Sequence, residues 1–118
     1  MKFDKAIPIL YSSDVTKSLT YFTEQLKFDH KWEWDNPATF GCAYKDSVEI
    51  FFEKSDNEIP VIWIALLVNN VDEYYELIRN NGAKIISIPE TKEWGIREML
   101  VECPDGHIIR IGHNTACD

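Results

Sequence analysis

The chain has 118 residues, of which 45% are apolar, which suits one soluble domain and is too apolar for a disordered chain. A formal net charge of −8 and a pI near 4.8 argue against nucleic acid and anionic membranes as partners, because their phosphates attract Lys and Arg. The same charge suits a cationic ligand as well as plain solubility. The opening MKFDKAIPIL lacks the long apolar core and small-residue cleavage site of a signal peptide, so none is expected. No apolar run approaches the roughly 20 residues that span a bilayer. Cys42, Cys103 and Cys117 are odd in number and scattered, with neither a CxxC spacing nor a disulfide framework, so a reducing cytoplasm is the expected compartment.

In chain order, residues 6–11 (AIPILY) read as a strand. Ser13 and Asp14 follow as N-cap residues, whose short oxygens accept from the free N–H groups of a first helical turn. Val15, Leu19, Phe22 and Leu26 then form one apolar stripe at helical spacing. Three strand-like runs come next, over 28–34, 38–44 and 47–53. The polar segment 54–60, KSDNEIP, reads as a linker. Residues 61–68 (VIWIALLV) read as a buried strand, and Asn69 and Asn70 repeat the cap chemistry. Val71, Tyr74, Tyr75 and Ile78 make the second stripe, with Gly82 suited to the position just past a helix end. Strands over 83–88, 96–102 and 107–112 complete the pattern.

The two halves superpose in sequence. A shift of 56 residues places Ile7 on Trp63, Ser13 on Asn69, Asp14 on Asn70, Val15 on Val71 and Phe22 on Ile78. Each half reads β-α-β-β-β, and a repeat of this size needs its partner to bury its apolar face. The predicted fold class is α+β: two paired βαβββ modules forming a curved mixed sheet around a cavity. The organisation is a single domain over 1–118, with module one at 1–53, the linker at 54–60, module two at 61–113 and a tail at 114–118. In Cys103-Pro104-Asp105-Gly106, Pro fixes φ, Asp bonds its own downstream backbone and Gly tolerates positive φ. That is a tight hairpin turn, which pins the register of the strand that follows.

Three stretches carry a family resemblance: IPILYSSDVTKSLTYFTEQLKF with its neighbours from Ile7, LLVNNVDEYYELIRNNGAKI and WGIREMLVECPDGHIIRI. Together they resemble the vicinal oxygen chelate superfamily of glyoxalases and bleomycin-resistance proteins, over nearly the whole chain. The last stretch is the most specific, since members often carry Trp-Gly-x-Arg and then Asp-Pro-Asp-Gly. Here Cys103 replaces the first aspartate.

Metal-dependent members hold a divalent ion with His, Gln or Glu from the first and last strands of each half. The resemblance places those positions on Ile7, Glu49, Trp63 and Arg110. Only Glu49 is a metal ligand by chemistry; Ile7 has no donor, Trp63 offers a poor one and Arg110 is a permanent cation. One carboxylate does not hold a catalytic ion, for which three protein ligands are typical. A slip of one residue brings in only Ala6, Pro8, Ile62, Ile64, Ile109 or Ile111. No metal and no other cofactor is therefore expected. Glu49 and Arg110, if they face one cavity, could pair as a structural salt bridge, or one or both could contact a polar ligand. His30, His107 and His113 show no ligand spacing and are expected at the surface or in capping roles, with His107 at a rim.

The chain has four tryptophans. Trp32 and Trp34 alternate, so both lie on one strand face with Glu33 on the other. Trp63 occupies a former ligand position and Trp94 opens the last motif. Core packing accounts for most aromatics, including Tyr11, Phe40, Tyr44, Phe51 and Phe52. The resemblance to the metal-free, bleomycin-resistance-like branch implies a homodimer that sequesters a small cationic or aromatic ligand without chemistry. The candidate ligand-binding residues are Trp32, Trp34, Glu49, Phe51, Trp63, Trp94 and Arg110. The alternative is a superfamily enzyme with a non-standard metal site, or with Glu49 as a base. Ser12 and Ser13 read as caps rather than nucleophiles.

Overall fold

The computed structural model describes residues 1–115, so Cys117 and the end of the expected tail lie outside the described residues. The elements are β1 (Ile9–Ser12), α1 (Val15–Thr20), β2 (His30–Trp34), β3 (Phe40–Lys45), β4 (Val48–Lys54), β5 (Trp63–Leu67), α2 (Val71–Ile78), β6 (Lys84–Thr91), β7 (Ile96–Glu102) and β8 (Ile108–Asn114). Helix α1 runs on into a wider π turn over Tyr21–Gln25. Strand β1 starts later than the sequence pattern suggests, so Ile7 precedes it. Strand β8 runs two residues further, taking in His113.

The two modules are built alike. Sheet order is β1-β4-β3-β2 in one and β5-β8-β7-β6 in the other. In each, the first strand pairs parallel to the last and the remaining pairs are antiparallel. Both helices start at the predicted caps. Asp14 accepts from the Lys17 N–H at 3.1 Å and Asn70 from the Glu73 N–H at 3.1 Å, with nearly identical extended backbones. The two caps lie 56 residues apart, as the sequence shift requires.

One core serves both modules. Leu10, Val15, Leu19, Phe22, Ile50 and Phe52 pack in the same cluster as Val71, Ile78, Met99, Val101, Ile109 and Ile111. Phe22 is fully buried, with Phe52 at 5.1 Å and Phe28 at 5.3 Å between ring centroids. Burial of such a ring contributes about 1.5–3 kcal/mol. The Tyr21 hydroxyl donates to the Glu102 carbonyl (2.8 Å) and accepts from the Lys84 N–H (2.9 Å), joining the modules. Burial raises the pKa of that phenol. Gly41 allows close packing of β3, since a Cβ there would lie 2.9 Å from the Trp32 carbonyl oxygen on β2.

The helices cover one face of each sheet. The other faces, and the outer edges of β1, β2, β5 and β6, have no partner strand among the described residues. No described helix is long and apolar enough to cross a membrane.

Candidate functional site

The uncovered face of module one is a sheet of aromatic rows. Alternation and register align Ile9, Phe51, Cys42 and Trp32 across it, with Tyr11, Glu53, Phe40 and Trp34 in the next row. Trp32 lies 5.8 Å from Phe40 and 6.0 Å from Phe51, and those two rings are 5.2 Å apart. Trp32 and Trp34 nevertheless stay open to solvent, at 43% and 65% exposure. His30 stacks on Tyr44 at 4.9 Å at the end of this face. Cys42 is buried beneath the rings, and burial raises its thiol pKa, helped by the Glu49 charge. Glu53 is exposed and has no ionic partner among the described residues.

Glu49 and Arg110 do not pair. Glu49 is held by Lys5, whose ammonium pKa is raised by that hydrogen bond and charge. Arg110 instead meets Glu98, with Nε 2.6 Å from Oε2. Nor are Glu49 and Arg110 equivalent. Ile9 faces Phe51 in the first parallel ladder and Ala65 faces Arg110 in the second. Ala65 lies 56 residues after Ile9, so the counterpart of Arg110 is Phe51, 59 residues earlier. A two-residue slip keeps a side chain on the same face, so alternation alone does not reveal it.

The uncovered face of module two carries a buried carboxylate and a guanidinium beside exposed tryptophans. Trp63 is exposed at the start of β5, with the Arg110 guanidinium 5.9 Å from its ring centroid. Trp94, also exposed, donates Nε1–H to Glu98 Oε1 at 3.1 Å. Glu98 is only 2% exposed, and sequence reasoning misses it: one acid in a strand carries no mark of burial. Gly112 makes room for it, since a Cβ there would lie 3.0 Å from that of Glu98.

The seven predicted residues therefore form two groups: Trp32, Trp34, Glu49 and Phe51 on module one, and Trp63, Trp94 and Arg110 on module two. No hydrogen bond, ion pair or ring contact joins the groups among the described residues. A groove of about 750 Å³ opens elsewhere, between the β3–β4 turn and α2, lined by Phe28, Val48, Leu66, Tyr74 and Leu77. None of the seven lines it.

One histidine departs from expectation. His107 is buried rather than at a rim, with Nε2 bonded to the Tyr11 carbonyl and Nδ1 accepting from the Ile62 N–H. His113 accepts from the Val71 N–H at 2.8 Å, which is a capping role at α2. Ser13 does not cap α1. Its hydroxyl bonds the Asp105 carboxylate at 2.6 Å, in the predicted tight turn, where Asp105 (φ 68°) and Gly106 (φ 85°) both adopt left-handed backbones.

The donor set does not fit a divalent ion. Ile7, Trp63 and Arg110 supply no ligand, the register partners Phe51 and Ile108 supply none either, and Lys5 engages Glu49. Among the described residues no three His, Cys, Asp or Glu side chains converge as a metal site.

The model of the Glyoxalase/Bleomycin resistance protein/Dioxygenase superfamily matches residues 5–111, and the chain belongs to that superfamily. No curated protein matches the sequence at a significant level. Among solved structures it is similar to TioX from Micromonospora sp. ML1 (TM-score 0.82, 15% identity, covering 95% of this chain and 99% of that one). It is also similar to the bleomycin-binding protein from Streptomyces verticillus complexed with copper(II)-bleomycin (TM-score 0.78, 17% identity, 97% and 98% covered). A third is a glyoxalase-related enzyme from Clostridium phytofermentans (TM-score 0.78, 19% identity, 97% of each chain covered). At these identities the likeness is one of fold.

Proposed function

We propose that this chain is a metal-independent binding protein that holds a small cationic or aromatic molecule, on the pattern of the bleomycin-resistance proteins, and works as a homodimer. It is read as a single domain whose linker follows β4. The observation that carries the reading is the open aromatic face of Trp32, Phe40 and Phe51, flanked by exposed Trp34 and the unpaired carboxylate of Glu53. Contiguous aromatic surface of this kind on a soluble protein marks an interaction site. Ring faces attract cations, and a nearby carboxylate adds to that attraction. Metal independence rests on the donor chemistry at the four superfamily positions. The bleomycin-binding relative makes bleomycin the first ligand to try.

The dimer has a separate rationale. Strands β1 and β5 each pair on one side only, and Ile9, Tyr11, Trp63 and Leu67 are exposed along them. Exposed apolar side chains along edge strands are normally covered, and a two-fold partner would cover them.

Tryptophan fluorescence of the metal-stripped protein, titrated with bleomycin and then with Zn or Ni, tests the reading. The expected result is saturable quenching by the drug at micromolar levels, indifferent to metal and weakened about tenfold in Trp32→Ala, which loses a stacking surface. No response to the drug, together with a stoichiometric response to metal, would overturn it in favour of an enzyme with a non-standard metal site.

A further inference from the structure

On module two a buried carboxylate holds a guanidinium at the surface. Glu98 is 2% exposed, and both its oxygens are engaged: Oε2 by Arg110 Nε at 2.6 Å and Oε1 by Trp94 Nε1–H at 3.1 Å. Burying a carboxylate costs several kcal/mol, and an apolar residue in its place is often no less stable. Stability is therefore a weak reason for Glu98. Orientation is a stronger one. The pair engages the Nε side of the guanidinium, whose carbon lies 5.9 Å from the Trp63 ring centroid. The Arg110 side chain stays 47% exposed, and no acceptor among the described residues takes a hydrogen bond from its Nη atoms. A fixed guanidinium edge beside two exposed indoles matches a flat carboxylate carried on a ring, which takes two parallel N–H···O bonds.

We propose that Arg110, oriented by Glu98 between Trp63 and Trp94, is the receptor for a carboxylate of the ligand. This deepens the binding reading above and rests on it. Module one offers rings and the free carboxylate of Glu53, which suit a cation. Module two offers rings and a free guanidinium edge, which suit an anion. Module two therefore selects a flat aromatic carboxylate. The Glu98–Arg110 pair is neutral overall, so the anion is recognised by directed hydrogen bonds and stacking at short range. Glu98 is a positioning residue, since it reaches the ligand only through Arg110.

Calorimetric titration with three matched probes tests this: 2-naphthylmethylamine, 2-naphthoate and the zwitterion 2-naphthylalanine. Both carboxylate probes are expected to bind through Arg110, and the amine without it. Arg110→Gln should weaken 2-naphthoate and 2-naphthylalanine about tenfold, the usual effect of losing hydrogen bonds to a charged group, and leave the amine unchanged. Glu98→Gln keeps the guanidinium and frees its orientation, so it should weaken the same two probes by a smaller factor. Because Arg110→Gln strands a buried carboxylate, the double variant Glu98→Gln/Arg110→Gln supplies a folded control that should lose carboxylate binding as fully. Unchanged 2-naphthoate affinity in either Arg110 variant, or equal loss for all three probes, would overturn the proposal. Amine binding that depends on Trp32 alongside carboxylate binding that ignores Arg110 would sink this inference and leave the binding reading standing. Failure of all three probes and of bleomycin would sink both.

Discussion

His107 Nε2 lies 2.8 Å from the carbonyl oxygen of Tyr11, tying the turn after β7 to the first strand of the other module. Nδ1 of the same ring accepts the Ile62 N–H at 3.2 Å, so one buried imidazole satisfies two backbone groups 51 residues apart in sequence. His107→Ala removes both bonds at a part-buried junction and leaves a cavity where the ring was. The expected loss is about 2–3 kcal/mol, read as a lower urea midpoint. A variant as stable as the parent would show that the junction does not depend on this ring.

Arg97 grips the Asp72 carboxylate through Nε (2.8 Å to Oδ2) and Nη2 (2.9 Å to Oδ1), and that bonding holds the Asp72 pKa below its ordinary value. A depressed folded-state pKa gives stability that is present above the unfolded value, about 3.9, and is lost as pH falls through the folded value. Asp72→Asn should therefore flatten the stability profile below about pH 4. Thermal melts of both proteins across acidic pH check this, and parallel profiles would remove the pair from the acid response.

Gly112 leaves space that no side chain can share. An added Cβ would lie 2.6 Å from the Arg97 carbonyl oxygen, a backbone atom that cannot swing aside. Gly112→Ala should cost about 1–3 kcal/mol, the range for overpacking, and should displace Glu98. Trp94 fluorescence is the local reporter, because its indole N–H is bound to that carboxylate. An unshifted spectrum with unchanged stability would contradict the packing described.

The open edges of β1 and β5 make the oligomeric state a direct test. The parent chain should sediment as a dimer, and the double variant Ile9→Lys/Leu67→Lys, which charges two exposed apolar sites, should sediment as a monomer. Both substitutions are on the surface, so each should change stability by no more than about 0.5 kcal/mol. A parent that is monomeric at high concentration would count against the dimer.

The sequence by itself determined the two modules, both helix starts, the 56-residue shift and the shared face of Trp32 and Trp34. These features are local. An N-cap oxygen reaches only its own first turn, alternation sorts side chains to one face or the other, and Asp105-Gly106 sets its own turn. Tertiary structure alone decided who meets whom. Glu49 took Lys5 from the N-terminal segment, and Arg110 took Glu98 from the neighbouring strand, because an ion pairs with the opposite charge nearest in space, whatever its place in the repeat. Phe51 became the counterpart of Arg110 because strand alternation has a period of two and fixes the face without fixing the register. Glu98 is buried against Trp94 and the neighbouring strand of Arg110 and Gly112, and His107 against the first module, through Tyr11. A polar letter in a strand carries no sign of what will cover it.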